Sequence, residues 1–287
     1  MSKPEFKARS LIETPNSSLE IGFLEGDFGK YVDEEVHKRY ARIRGISQIK
    51  YDGKIVGKLT LPYGVAVNEI IEKDNLRTAT PADLERILKV DESILMQVYF
   101  IRHPEWDKKT YPYDSSCPFL FPTEMPFGTI SALALSNGTG NLYLAENLMK
   151  QVKARNPKEK MPVVIPLKSL KLAKINDNPY EVEFQLKDNA EVIYAPILNK
   201  KSDKFCKPLY FKSSDINEKT GLPIKLSKEG DRELYTSKEG GLRGFSLGCS
   251  QLHGKQLGWS LDSSFTNFTY SNEPSDGVII REKLKNK

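Results

Sequence analysis

Tyr180-Glu181-Val182-Glu183-Phe184-Gln185-Leu186 alternates polar and apolar residues over seven positions. That is the period-two signature of a strand with one face buried and the other in water. Glu181 and Glu183 share a face two residues apart, a spacing compatible with a carboxylate pair. Together with Gln185 they read more simply as the solvent face of an antiparallel sheet. Similar runs surround this stretch, at 162–167, 191–197, 209–212, 255–261, 265–270 and 277–281. The second half of the chain is therefore expected to be mostly antiparallel sheet.

The first half carries the helices. Val32, Val36, Tyr40 and Ile43 recur at spacings of four and three, one face of a helix. Asp33, Glu34 and Glu35 stand at its start and Lys38, Arg39, Arg42 and Arg44 toward its end, the order that complements the helix dipole, and Gly45 stops it. Thr80-Pro81-Ala82-Asp83 has the form of a helix start: a capping hydroxyl, proline at the first position and an acid three residues after the cap. Asn141 caps a third helix bearing Leu142, Ala145, Leu148, Met149 and Val152 on one side. Between these helices, 48–61 reads as a hairpin around Asp52-Gly53 and 129–135 as a strand. The fold class expected is α+β: a largely antiparallel β body with about three helices, mainly in the N-terminal half.

Residues 1–18 mix Pro4, Pro15, Asn16 and serines without periodicity, and read as a flexible or extended N-terminal arm. Residues 19–155 form a mixed α/β half and 156–287 a β-rich basic half, expected to fold as one continuous globular body. The segment 103–127 holds five prolines and many aromatics and must be irregular. It reads either as a packed cover over the core or as a functional loop.

Bulk properties narrow the function classes. With 39% hydrophobic and 28% charged residues the chain is suited to a folded core. Its apolar stretches are far shorter than the roughly 20 residues that cross a bilayer, and its N-terminus has no apolar run of secretory type. Cys117, Cys206 and Cys249 are widely separated and odd in number, which suits free thiols in a reducing compartment, so the expectation is cytoplasmic without a membrane. The net charge of +5 is uneven: residues 151–287 hold 24 Lys+Arg against 17 Asp+Glu. A positive half attracts anions.

Two segments concentrate that charge. Leu198–Lys212 carries Lys200, Lys201, Lys204, Lys207 and Lys212 against Asp203 alone, interleaved with Phe205, Tyr210 and Phe211. Lysines neutralise phosphates and exposed rings stack on bases, so the segment reads as a nucleic-acid contact. The plainer alternative is a solvated loop with its rings turned to the core. Glu239–Trp259 has six glycines with Arg243, Phe245, His253 and Lys255, which suits close approach of backbone to phosphate or, equally, a bulged β-meander. Gly22–Lys30, GFLEGDFGK, lacks the glycine and hydroxyl placement of a Walker loop and reads as turns between short strands. Cys249 and His253 stand four apart but have no second pair to complete a zinc site, so neither metal nor cofactor is expected.

The leading expectation is a non-catalytic nucleic-acid-binding protein, DNA or RNA, single-stranded or read through its backbone, within a larger nucleoprotein, defence or mobile-element complex. Its contact residues are Lys200, Lys201, Lys204, Phe205, Lys207, Tyr210, Lys212, Arg243, Phe245, His253 and Lys255. Two alternatives stand beside it. One is a structural subunit of a viral particle or multiprotein complex, docking other subunits through the N-terminal arm and the 103–127 loop. The other is an enzyme acting on a phosphorylated or nucleic-acid substrate, with His253 among its candidate groups.

Overall fold

The structure is a computed structural model. It describes residues 3–24, 26–40, 49–51, 54–56, 58–59, 61–91, 132–135, 146–155, 163–174, 182–200, 208–235, 242–244, 246–252, 256–262, 268–269 and 278–285. Among these, helices and mostly antiparallel strands confirm the α+β class.

The chain opens with β1 (Ser10–Glu13) and β2 (Ser17–Phe23), an antiparallel hairpin joined at Pro15-Asn16. Its final strand β18 (Val278–Leu284) pairs with β2 along all seven residues, and β6 (Arg77–Thr78) completes a four-stranded sheet in the order β1-β2-β18-β6. The segment expected as a flexible or extended arm is thus extended and packed: Ile12 lies in the core, and Phe6 is buried edge-on against Phe28, ring centroids 5.5 Å apart.

Helix α1 (Gly26–Tyr40) buries Val32, Val36 and Tyr40, the stripe its spacing predicts. It begins earlier than expected, so the end of GFLEGDFGK is the first turn of a helix and not a set of turns between strands. Gly26 makes the corner with φ of 55°, a left-handed conformation glycine adopts without penalty. The expected hairpin follows as β3 (Ile49–Tyr51) and β4 (Lys54–Val56), with Tyr51 opposite Lys54, and then β5 (Lys58–Leu59).

Helix α2 (Leu61–Ile71) is absent from the sequence reading. From Val65 to Ile71 it is buried all round, with Val65, Ala66, Val67, Ile70 and Ile71 in the core, and this part therefore lacks the amphipathic period by which helices are recognised. The third helix, α3 (Pro81–Val90), starts with the full capping box: Asp83 N–H donates to Thr80 Oγ1 and the Asp83 carboxylate accepts from Thr80 N–H. The fourth, α4 (Glu146–Arg155), buries Leu148 and Val152.

Three further groups of strands complete the described architecture. One sheet runs β11-β8-β7-β14, built from β7 (Ala132–Leu135), β8 (Val163–Pro166), β11 (Ile193–Tyr194) and β14 (Leu242–Gly244). A hairpin joins β9 (Leu170–Lys174) to β10 (Val182–Leu186), which buries Phe184 and Leu186 and so holds the alternation of its sequence. A second four-stranded sheet runs β12-β13-β16-β15, from β12 (Leu209–Phe211), β13 (Arg232–Tyr235), β15 (Ser246–Leu252) and β16 (Gln256–Asp262). Its β13–β16 pair is parallel. A short β17 (Phe268–Thr269) returns to pair with β5.

Two apolar clusters fill the body. One gathers α1, α2, α4, β9 and β10; the other gathers α3, the inner residues of β1 and β2, and Phe211, Ile216, Leu222 and Leu234. Successive residues of β8 and β18 alternate between them: Val163, Ile165 and Ile279 face the first, Val164, Val278 and Ile280 the second. Period-two geometry thereby buries both faces of β8 and of the first three residues of β18, which reads in sequence as a short apolar run. Expectations for 92–131, including the proline-aromatic stretch 103–127, lie outside the described residues. Among the described residues no helix is long and apolar enough to cross a membrane.

Candidate nucleic-acid interface

Only part of the lysine-aromatic segment falls on described residues. Its start is fixed by a short 3-10 turn, Pro196–Asn199, after which Lys200 N–H donates to Ile197 O at 3.0 Å and the lysine side chain is exposed. Its end is β12. Lys201, Lys204, Phe205 and Lys207 lie outside the described residues.

On β12, Phe211 is fully buried and Tyr210 half-buried. The strand register sets Phe211 beside Arg232 and Tyr210 beside Glu233, on opposite faces of the sheet. The Arg232 guanidinium covers the Phe211 ring at 5.2 Å from its centroid. The same guanidinium donates to Glu85 Oε2 on α3, an ion pair buried at both ends. Among the described residues Glu85 Oε1 has no hydrogen-bond partner. Burial, and then the charge of Glu233, raise the Tyr210 hydroxyl above the ordinary phenol range. Lys212, the next residue but one, is exposed.

From Lys212 the chain makes a long ordered loop before β13, a feature the sequence reading did not single out. Its mouth is closed by Asp231, whose Oδ1 accepts from Ser213 N–H at 2.7 Å and Oδ2 from Ser213 Oγ at 2.6 Å. Burial opposes ionisation of Asp231, but these Ser213 bonds outweigh it and hold the carboxyl below its usual range. Ser227 N–H donates to Tyr210 O, Asn217 Oδ1 accepts from Lys219 and Thr220 N–H, and Ile216 and Leu222 anchor the loop in the second core. Gly230 lies so close to β12 that a Cβ there would sit 2.3 Å from Phe211 N and 2.5 Å from Phe211 O. Gly230→Ala is accordingly expected to lower stability by roughly 1–3 kcal/mol, as overpacking does, and a urea titration reads the loss. Lys212, Lys219, Lys225 and Lys228 in this loop are balanced by Asp215, Glu218, Glu229 and Asp231, so the loop adds no net charge.

The glycine-rich stretch is divided between two sheets. Arg243 stands on β14, opposite Ala134. Then β15 and β16 pair without interruption from Ser246↔Asp262 to Leu252↔Gln256, so Gly248 and Gly258 sit in a regular ladder and not in the bulges that one of the two readings of this stretch implies. Phe245, His253 and Lys255 lie outside the described residues. The parallel register of Glu233 with Ser260, combined with Phe211 opposite Arg232, puts the Leu252–Gln256 end of the β15–β16 hairpin toward the same end of the sheet as Lys212. Arg243 stands on the other sheet, so the described candidates are divided between two sheets.

Two buried acids of the first half, Glu69 and Glu85, are not singled out in the sequence, and a third, Asp83, is read there only as the acid of a helix cap. Glu69 on α2 accepts from Tyr40 OH at 2.7 Å, Leu172 N–H at 2.6 Å and Arg39 at 2.8 Å, tying α1 and β9 to the central helix. Burial first, and then this carboxylate, push the Tyr40 hydroxyl well above its usual range. Asp83 and Glu85 hold Arg77 and Arg232. Polar Asn68-Glu69 inside the apolar run 65–71 is the one sequence signal that could have flagged such a node, because acids in a core need partners. These three acids bind the fold together. Among the described residues no group of three or more His, Cys, Asp and Glu is placed to hold a metal ion.

No known protein family, curated protein or solved structure matches this chain.

Proposed function

We propose that the protein binds nucleic acid without catalysis, through the lysine-aromatic segment and the adjoining end of the β12-β13-β16-β15 sheet. The observation that carries this reading is the setting of the segment. Five lysines face a single acid, and the described lysines at its two ends, Lys200 and Lys212, are exposed on rigid anchors, a 3-10 turn and a core strand. Anchored lysines engage a phosphate chain with less loss of chain entropy than lysines on a free tail. The +7 balance of residues 151–287 adds long-range attraction for a polyanion. The reading includes a cytoplasmic setting, on the ground of three scattered cysteines, and membership of a larger nucleoprotein complex.

Polarisation of labelled single-stranded and duplex oligonucleotides at low salt tests it, with purified protein first freed of co-purified nucleic acid. Binding that weakens steeply with added salt is the expected outcome. No binding of either form at low salt would remove the proposal and leave the assembly-subunit alternative.

A further inference from the structure

We infer that the outward side of α4 and of the β9–β10 hairpin is a second phosphate-binding surface, engaged by a nucleic-acid chain long enough to extend beyond the lysine-aromatic segment; the inference rests on the nucleic-acid reading above. The described residues 150–155 and 163–174 carry six cations, Lys150, Lys153, Arg155, Lys168, Lys171 and Lys174, and no acid. All six are exposed. Among the described residues only Lys168 has an acid partner, Glu191 at 3.9 Å. Other lysines are neutralised where they stand, as Lys187 is by Glu72 and Lys283 by Glu20.

The fold turns these cations outward together. Leu148 and Val152 of α4 and Leu170, Leu172, Phe184 and Leu186 of the hairpin lie in one core cluster. Lys150 and Lys153 stand two and five residues on from Leu148, on the side of the helix away from it. Lys171 falls between Leu170 and Leu172, so it points from the opposite face of β9. Gln151 Oε1 accepts from Leu186 N–H at 2.9 Å, which sets α4 along the edge of β10 and keeps the outward side of the hairpin clear of the helix. Arg155 Nη1 donates to Lys187 O at 2.8 Å and Asp188 O at 3.2 Å, fixing the end of α4 to the turn after β10. Across the strands Lys171 stands opposite Gln185, a neutral donor for phosphate, and the one described acid on that face of the hairpin is Glu183, opposite Ala173.

An unneutralised cationic surface on rigid elements fits a polyanion. A helix that binds lipid needs an apolar face to insert, and α4 has turned Leu148 and Val152 into the core. The ligand is therefore the phosphodiester backbone, met by point charges without regard to base identity.

The test compares two labelled single strands by polarisation, one of about ten nucleotides, which one site fills, and one about four times longer. The purified protein is titrated with each, beside the triple variant Lys150→Glu, Lys153→Glu, Lys171→Glu. The parent should bind the long strand with a salt slope steeper by about 2, the share of three lysines. The variant should bind the long strand about tenfold or more weaker and the short one unchanged, as loss of a linked second contact requires. An unchanged affinity of the variant for the long strand would overturn the inference and leave the nucleic-acid reading intact, and so would a loss confined to phosphatidylserine vesicles. A parent that binds neither strand would overturn both. Acetylation of the parent's lysines, read by mass spectrometry with and without the long strand, needs no variant: protection of Lys150, Lys153 and Lys171 is expected, and equal labelling would overturn the inference.

Discussion

Asp83→Ala is expected to lower the free energy of unfolding by about 3–5 kcal/mol, the loss seen when one partner of a buried ion pair is removed. Asp83 is buried and does several jobs at once. Its carboxylate accepts from Arg77, including Nη2 at 3.0 Å, and from Thr80 N–H and Oγ1 at 2.7 and 2.8 Å. Arg77 in turn reaches Glu282 on β18 at 3.2 Å, so one side chain joins the start of α3 to the sheet that holds both ends of the chain. Removal strips the helix cap and leaves the Arg77 guanidinium without its main partner. Since small domains are stable by only about 5–15 kcal/mol, the variant should melt far below the parent. Urea unfolding monitored by circular dichroism measures it.

The same carboxylate sets an acid limit. Burial alone would raise the pKa of Asp83, but the charge and hydrogen bonds of Arg77, with the Thr80 bonds, outweigh it and hold the group below the ordinary Asp range. A pKa lowered by folding means stability that is present above the unfolded-state value of about 4 and is lost as the pH falls through the folded value. The urea midpoint should therefore fall below about pH 4, and Asp83→Asn should flatten that part of the profile while lowering stability at neutral pH.

Arg232→Ala is the second large effect, again about 3–5 kcal/mol, because it leaves the Glu85 carboxylate buried without its cation. It also uncovers the Phe211 ring, so β12 and the loop closed at Asp231 should loosen together. The double variant Glu85→Leu with Arg232→Met is expected to recover most of the loss, since a buried ion pair exchanged for apolar side chains of similar volume is often neutral. Recovery of stability by the double variant, read by the same urea titration, distinguishes an uncompensated charge from a simple packing defect.

What the sequence made legible were features decided locally. The α1 stripe of Val32, Val36 and Tyr40, the Thr80–Asp83 box and the alternation through Phe184 and Leu186 each depend on residues a few positions apart, and each is present. Hidden features depend on distance along the chain or on complete burial. Nothing near Ser17 announces its strand partner Leu284, and α2 has no polar face to give it a period. The candidate site divides in the same way. The lysines are plain in the sequence, yet the inward turn of Phe211 comes from pairing with Arg232, and the separation of Arg243 from β12 comes from a change of sheet between β14 and β15. Charge density is a property of a segment. Which rings are left open is decided by the whole fold.

The most direct test of the account is the salt dependence of single-strand affinity for the parent protein and for a variant with Lys200, Lys201, Lys204 and Lys207 all changed to glutamate. Five lysines on five phosphates predict a slope of log affinity against log salt of about −3.5, and loss of four contacts should flatten it to about −0.7 or abolish binding. A variant that binds as tightly as the parent, with the same slope, would contradict the assignment of nucleic-acid binding to this segment.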